Sequence, residues 1–285
     1  MRFKAPAREA VDADVFMRPP LSRWSEYADL LRGAWPDLAA LNARLPDASI
    51  RFAAQTRELL ADGLHYEQRI FARGEIATRE RNWHDLLNAL VWLRHPELKR
   101  GLNARQVDEI ARVGATMRSR AQQALTHFDE AGVVVALRDP ALLALWDAHD
   151  WHGLFWRERA AWSDGRIDAI VFGHALLEHA LKPAQMLTGK ALAVVLPPRG
   201  NREDAIECVA AAIRKGRVLN NPQELRPLPL SGIPGWYAGS AEEGFYRSAE
   251  CFRPRRAGRS YPSPLVFRAC SIASDALSSS HLMRP

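Results

Sequence analysis

Cysteine is scarce in this chain, and its three cysteines, Cys208, Cys251 and Cys270, lack CxxC spacing. That scarcity excludes a disulfide framework and a thiolate zinc site, and it predicts free thiols. Long apolar runs are also missing. The first residues, MRFKAPAREAVDADVF, lack the apolar stretch of a secretory signal, and no later run has membrane-spanning length. We therefore expect a soluble, cytoplasmic protein without a membrane partner.

Familiar cofactor and catalytic motifs are absent as well. The sequence contains no GxGxxG, P-loop, HExxH or GxSxG, so it does not indicate a nucleotide cofactor. Acidic residues are rare after Cys251, where six arginines stand against one acid, so most of the net charge of +6 lies there. Because basic residues are not interleaved with aromatics elsewhere, the sequence argues against a nucleic-acid partner.

Apolar residues, in contrast, are plentiful, at 47% of the chain, and can form a substantial core. Helical spacing dominates the first half, where Asn82 is a predicted N-cap and Pro96 a predicted helix stop. A further helix is predicted to open at Asn103. In the second half, ALTHF and VVVAL around Asp129 predict a β-hairpin, unless the run ending at Phe128 extends a helix.

Strands and helices then alternate along the chain. DAIVFG and KALAVVLP predict strands, and GHALLEHAL and REDAIECVAAAIRKG predict helices. We expect an α/β fold, with α+β as the alternative: a helical N-terminal half and a small mixed sheet of about four strands flanked by helices. An irregular segment rich in proline, glycine and aromatics follows from Leu225.

One globular domain is predicted over residues 1–257. Its helical part covers about 22–117 and its α/β part about 118–257. Residues 258–285 are serine-rich and aperiodic, which predicts a loosely ordered tail.

The helix after Asn82 is apolar almost all round, which makes its polar residues conspicuous. Arg81, Asp85 and Asn88 are spaced four and three apart. His84 also lies four before Asn88, so these side chains are expected on one edge of a buried helix. They form either a cap with an Arg81–Asp85 ion pair, or a functional set in which His84 and Asp85 are metal ligands or an acid/base pair.

A second polar pair follows a predicted strand. Gly173 leads directly into a helix carrying His174 and Glu178, four residues apart and therefore on one face. Strand-to-helix junctions of this kind build binding crevices in α/β sheets. The pair is either a metal or acid/base site, or an ordinary ion pair at a helix start.

Two weaker sites complete the candidates. Asp129 serves either the predicted hairpin turn or catalysis. A group with metal-compatible side chains lies between tryptophans, although it also fits a solvated helix junction: Asp147, His149, Asp150 and His152.

Five blocks occur in order along the chain: RNWHDLLNALVWLRHPELKRGLNARQ, LTHFDEAGVVV, FGHALLEHAL, PLPLSGIPGWY and FYRSAECFRPRR. In them the chain resembles the bacterial family called domain of unknown function 3025, over roughly residues 24–256. That label carries no activity. The resemblance implies that Asn82 to Asp85, Phe128 to Glu130 and Phe172 to Glu178 are hallmark segments. FYRSAE departs from the more acidic stretch expected, which puts a role for acids there in doubt.

The first functional hypothesis is a metal-assisted hydrolase acting on a small polar or phosphoester substrate. Its predicted ligands for a divalent metal such as zinc or manganese are His84, Asp85, His174 and Glu178. Asp129 is the predicted general base, and Arg81 and Asn88 are further catalytic candidates. A separation above about 8 Å between the imidazoles of His84 and His174 would rule out a shared metal.

The second hypothesis is a non-enzymatic module that binds a ligand or a protein, and the sequence alone does not decide whether the chain is an enzyme. In this hypothesis a pocket or partner surface is lined by tryptophans: Trp146, Trp151, Trp156 and Trp236. Nucleic-acid binding through the basic tail ranks last.

Overall fold

A computed structural model describes residues 3–114 and 117–267 of the chain. Besides short 3-10 segments, the helices within these ranges are α1 (Ala28–Leu31), α2 (Leu38–Asn42), α3 (Arg57–Leu60), α4 (Tyr66–Arg73), α5 (Trp83–Arg94), α6 (Pro96–Val113), α7 (Arg120–Ala131), α8 (Ala141–Ala148), α9 (Arg159–Ser163), α10 (His174–His179), α11 (Arg202–Arg214) and α12 (Phe245–Ser248). A π-helical turn covers Gly153–Arg157.

Strands form two separate sheets. Their bounds are β1 (Arg51–Ala54), β2 (Glu75–Thr78), β3 (Gly132–Leu137), β4 (Ile167–Val171), β5 (Thr188–Val195), β6 (Arg226–Pro229) and β7 (Leu265–Val266). β1 and β2 pair in parallel. In the larger sheet, of order β4-β3-β5-β6, β3 is parallel to β5, β4 and β6 are antiparallel to their neighbours, and β7 adds in parallel to β5. The predicted α/β class with a small mixed sheet flanked by helices is confirmed.

Strand β3 lies at the centre of the hydrophobic core, because each residue of the strand is buried. Helix α11 packs on β3 and β5 and also against α6, while α7 and α10 contact each other and α10 contacts α5. Four helices from distant parts of the sequence, α5, α6, α7 and α10, therefore meet beside one end of β3.

Local sequence signals account for the ends of α5. The Asn82 side chain accepts a hydrogen bond from the backbone N–H of Asp85, which is the predicted cap. Helix α5 ends at Arg94, and Pro96 occupies the first turn of α6. Helix α6 begins there rather than at Asn103, so the predicted start at Asn103 was wrong.

The predicted hairpin before Gly132 was also wrong. The segment containing ALTHF and Asp129 is the end of α7, which runs to Ala131 and passes directly into β3. Ser119 and Gln122 form a capping box that starts this helix, and the apolar run to Phe128 continues it. The helical alternative left open by the sequence is the one observed.

Within the predicted tail, Leu265–Val266 forms a strand paired with Val194 and Val195. The rest of that prediction, residues 268–285 with Cys270, lies outside the described residues. Cys208 and Cys251 are free thiols, as predicted. Among the residues described, no helix combines the length and hydropathy needed to cross a bilayer.

Candidate functional site: a histidine pair between four helices

Two histidines meet where α5 and α10 begin. His84 lies in the first turn of α5, and His174 is the first residue of α10. Their Nε2 atoms are 3.0 Å apart, and the two rings are nearly perpendicular, at 81°. The side chain of His174 is buried, at 6% exposure, whereas that of His84 is 34% exposed. One imidazole of the pair is therefore accessible from outside.

Each imidazole has a carboxylate behind it. His84 Nδ1 lies 2.9 Å from Oε2 of Glu178, one turn along α10 from His174. On the far side, His174 Nδ1 faces Oδ2 of Asp129 at 3.8 Å. The predicted i,i+4 pair of His174 and Glu178 thus shares a face, but Glu178 contacts His84.

A buried lysine extends this arrangement. Lys99 Nζ donates to Asp129 Oδ1 at 2.6 Å and to Asn88 Oδ1 at 2.8 Å. Asn88 in turn donates to the hydroxyl of Tyr66 at 3.1 Å. Since a buried ammonium is costly without partners, these acceptors explain how Lys99 remains at 5% exposure. We call His84, His174, Glu178, Asp129 and Lys99 the histidine site.

Environment sets the charges in this site. Desolvation lowers the pKa of His174 to about 3, so its ring is neutral at physiological pH. The hydrogen bond to Glu178 raises the pKa of His84 and favours its protonated form. Burial alone would raise the pKa of Asp129, but the charge of Lys99 holds it below its ordinary value. The site therefore contains two carboxylates and two imidazoles. The imidazole of His84 favours a proton, and that of His174 is neutral.

A cavity of about 510 Å³ opens onto this site. It is lined by His84, His174, Asp129, Lys99 and by Glu67, which no sequence pattern indicated. Burial raises the pKa of Glu67 to about 7, while a hydrogen bond from Asn103 Nδ2 (2.7 Å) acts in the opposite direction. Glu67 lies outside the family blocks, and Lys99 lies inside one but was not a candidate, since α4 and α6 reach the cavity only by packing.

The predicted Arg81–Asp85 ion pair is wrong. Asp85 is paired instead with Arg79, whose guanidinium donates to both carboxylate oxygens at 2.9 and 2.8 Å and whose backbone N–H donates at 2.6 Å. Arg81, the residue before the helix cap, is exposed and has a left-handed conformation with φ of 53°. It lies outside the residues that line the cavity, whereas Arg79, Asp85 and Asn88 line it.

Of the four predicted metal ligands, the structure brings the two imidazoles into contact through their Nε2 atoms. Their separation lies far inside the limit for a shared metal. The carboxylates of Asp85 and Glu178 are paired with Arg79 and with His84 Nδ1. Across residues 3–114 and 117–267, no group of three or more His, Cys, Asp or Glu side chains is arranged to hold a metal ion.

The second predicted cluster is dispersed. Asp147 pairs with Arg226, His149 contacts Tyr261, Asp150 pairs with Arg157, and His152 pairs with Glu243.

The tryptophans of the binding hypothesis are dispersed too. Trp146 and Trp151 are buried, and their indole N–H groups donate to the carbonyls of Pro227 and Arg253. Trp156 and Trp236 are half-buried. Trp151 and Trp236 line two different cavities.

Comparison with known proteins supports the resemblance seen in the sequence. A family model described as protein of unknown function (DUF3025) matches residues 50–256, well over half of the chain. No curated protein and no solved structure matches the chain. All five residues of the histidine site lie inside the matched range. The chain therefore belongs to the DUF3025 family of proteins of unknown function.

Proposed function

We propose that this protein is a metal-assisted hydrolase acting on a small polar substrate, such as a phosphoester, in the cavity beside His84. The observation that carries the proposal is the contact of 3.0 Å between Nε2 of His84 and Nε2 of His174, with a carboxylate behind each ring.

Proton positions explain why this contact is unusual. A carboxylate only accepts, so Glu178 places a proton on Nδ1 of His84. In the neutral ring, Nε2 of His84 then carries a lone pair directed at Nε2 of His174. If either ring carries a hydrogen on Nε2, it donates that hydrogen to the Nε2 lone pair of the other ring. If neither does, the two lone pairs can bind one metal ion.

The separation of the two nitrogens supports a metal ion bound between them. Metal–nitrogen bonds of about 2.1 Å place two imidazole nitrogens of one ion roughly 3.0–3.4 Å apart. Metal-binding histidines commonly donate their other N–H to a carboxylate, which fixes the tautomer and strengthens the ligand. Glu178 stands in that position for His84, whereas Asp129 lies 3.8 Å from Nδ1 of His174, beyond hydrogen-bond distance. A zinc or manganese ion held there would leave positions for water and substrate, and would acidify that water.

The cavity provides partners for a polar substrate. Arg79, Asn88 and Lys99 line it, and Lys99 donates hydrogen bonds to Asn88 and Asp129. Glu67, with its pKa of about 7, can hold or release a proton near physiological pH. A carboxyl group of this kind suits proton transfer to a leaving group.

Hydrolysis of p-nitrophenyl phosphate and bis-p-nitrophenyl phosphate by zinc- or manganese-loaded protein tests the proposal. We expect turnover that falls by about 100-fold or more in His84→Ala and in His174→Ala. His152→Ala is the matched control, since His152 also pairs with a carboxylate but lies outside this cavity. Turnover equal in all variants, or absent from the wild type, would refute a phosphoester hydrolase at this site.

A further inference from the structure

A second cavity, of about 910 Å³, lies between strands β5 and β6 and the segment 250–261. It shares no lining residue with the cavity at the histidine site. Among its lining residues one is acidic, Glu250, and four are cationic: Lys190, Arg253, Arg256 and Arg259. We call it the basic cavity.

Specific hydrogen bonds hold one wall of this cavity in place. The carbonyl of Arg253 lies 3.1 Å from His149 Nδ1 and accepts from Trp151 Nε1 at 2.8 Å. Because a carbonyl only accepts, Nδ1 of His149 carries the proton. Nε2 then accepts from the hydroxyl of Tyr261, 2.8 Å away. His149 itself has a φ of 56°, a strained conformation that its two ring hydrogen bonds help to hold.

Arginines in and around this segment divide into two groups. Arg226 and Arg259 are anchors: Arg226 pairs with Asp147 at 2.7 Å and donates to the carbonyl of Pro262 at 2.6 Å, and Arg259 donates to the carbonyl of Gln223. Their guanidinium carbons lie 5.2 and 4.5 Å from the centre of the Tyr261 ring. These contacts preorganise the wall before any ligand arrives.

Lys190, Arg253 and Arg256 form the other group. They are exposed and line the cavity, and within the described residues their side chains have no hydrogen-bond or ion-pair partner. Three unpaired cations around one concavity repel each other and concentrate positive potential there. A multivalent anion would satisfy all three, and guanidinium groups suit phosphate oxygens in particular.

We propose that the basic cavity binds a small molecule bearing phosphate groups with at least two negative charges. Its volume is in the range of small-molecule sites, about 300–1,000 Å³. A nucleic acid fits less well, because Trp151 is buried and guanidinium groups lie against the Tyr261 ring, which leaves no open aromatic face for stacking. This site is independent of the proposed hydrolase site.

Calorimetric titration of the full chain with inorganic pyrophosphate at low salt tests this inference. We expect saturable binding that weakens at least about tenfold in the double variant Arg253→Gln/Arg256→Gln and in Lys190→Gln. Lys215→Gln/Arg217→Gln is the matched control, because both residues are exposed cations outside the cavity. His84→Ala should bind pyrophosphate like the wild type, which separates this site from the histidine site.

Three results would overturn the inference. They are no pyrophosphate binding by the wild type, equal weakening in the Lys215/Arg217 control, or loss of binding in His84→Ala alone. A single-stranded 20-nucleotide DNA that binds through Arg253 and Arg256 while pyrophosphate does not bind would identify a nucleic-acid surface instead. Thermal melting of each variant verifies that it is folded.

Discussion

Histidine charge in this protein is decided by neighbours a few ångströms away. His84 has its pKa raised by the carboxylate of Glu178. Burial lowers the pKa of both His95 and His174 to about 3. His84 and His174 are in contact and His95 lies at the other end of α5, so the same side chain type supplies one ring that favours a proton and two that reject it.

Glu178→Gln should lower the pKa of His84. The amide keeps the shape of the side chain but removes the negative charge that favours the imidazolium. Following the ring proton of His84 by NMR as a function of pH measures the shift. Glu243→Gln, which alters the comparable His152–Glu243 contact of 2.8 Å, should leave His84 unchanged. An unaltered His84 titration in Glu178→Gln would contradict the role assigned to Glu178.

His95→Phe should stabilise the protein at acidic pH. The ring of His95 packs beside Trp24 and Phe172, and its Nε2 is buried without a partner among the described residues. Its folded pKa is depressed to about 3, so its contribution to stability is complete above an unfolded pKa of about 6.5 and is lost as pH falls toward 3. Phenylalanine has no such loss. Urea unfolding should show a gain about 2 kcal/mol larger at pH 5 than at pH 8, and an equal gain at both would contradict the account.

Residues of the site differ in how well the sequence predicted them. His84 and Asn88 were predicted because they stand out on a buried helix, and Asp129 because it lay in a predicted hairpin turn; the structure places all three at the cavity. Arg81 was chosen over Arg79 because helical spacing was extended past the cap at Asn82, where it no longer holds.

The start of helix α10 shows how one element positions the pair formed by His84 and His174. Gly173 precedes His174, and a Cβ placed on it would lie 2.4 Å from the backbone N of Gly132 and 2.5 Å from the carbonyl oxygen of Glu130. Glycine therefore lets α10 start against the junction of α7 and β3, which sets the approach of His174 to Asp129.

Gly173→Ala should lower the free energy of unfolding by about 1–3 kcal/mol and reduce any activity, because backbone atoms must move. Gly101→Ala is the matched control in α6. Its Cβ would meet the side chain of Arg214 at 3.4 Å, an ordinary contact, so helix propensity should raise stability by up to about 1 kcal/mol. Urea denaturation measures both values, and a neutral Gly173→Ala would contradict the close approach.

Element types were more predictable than element boundaries. Capping at Asn82 and the break at Pro96 were readable because both act through local geometry. The end of α7 was not, because Asp129 to Gly132 has the composition of a turn, while tertiary packing of Phe128 continues the helix. The contact between α5 and α10 joins residues about 90 positions apart and could not be derived from spacing.

At the scale of the whole molecule, the N-terminal residues are part of the core although the family match begins at residue 50. Trp24 is buried, with its ring beneath the guanidinium of Arg94 and edge-on to His95. Arg94 also donates to the carbonyl of Arg23 at 2.5 Å. The segment before β1 therefore covers the C-terminal end of α5.

Deletion of residues 1–49 should abolish cooperative unfolding or lower the melting temperature strongly, because buried side chains such as Leu21, Trp24 and Leu31 would be lost. Circular dichroism melting of the truncated and full-length chains tests this expectation. A truncated chain that melts as cooperatively and at the same temperature as the full chain would show that the matched range folds without its N-terminal cover.

The central claim is that the facing Nε2 atoms of His84 and His174 hold one metal ion. Elemental mass spectrometry of untagged protein, purified without chelator and then offered zinc or manganese, measures this most directly. We predict about one ion per chain in the wild type and in His152→Ala, and none in His84→Ala or His174→Ala. A wild type that stays metal-free, or a His174→Ala variant that keeps its metal, would contradict the claim and leave a shared proton between the two rings.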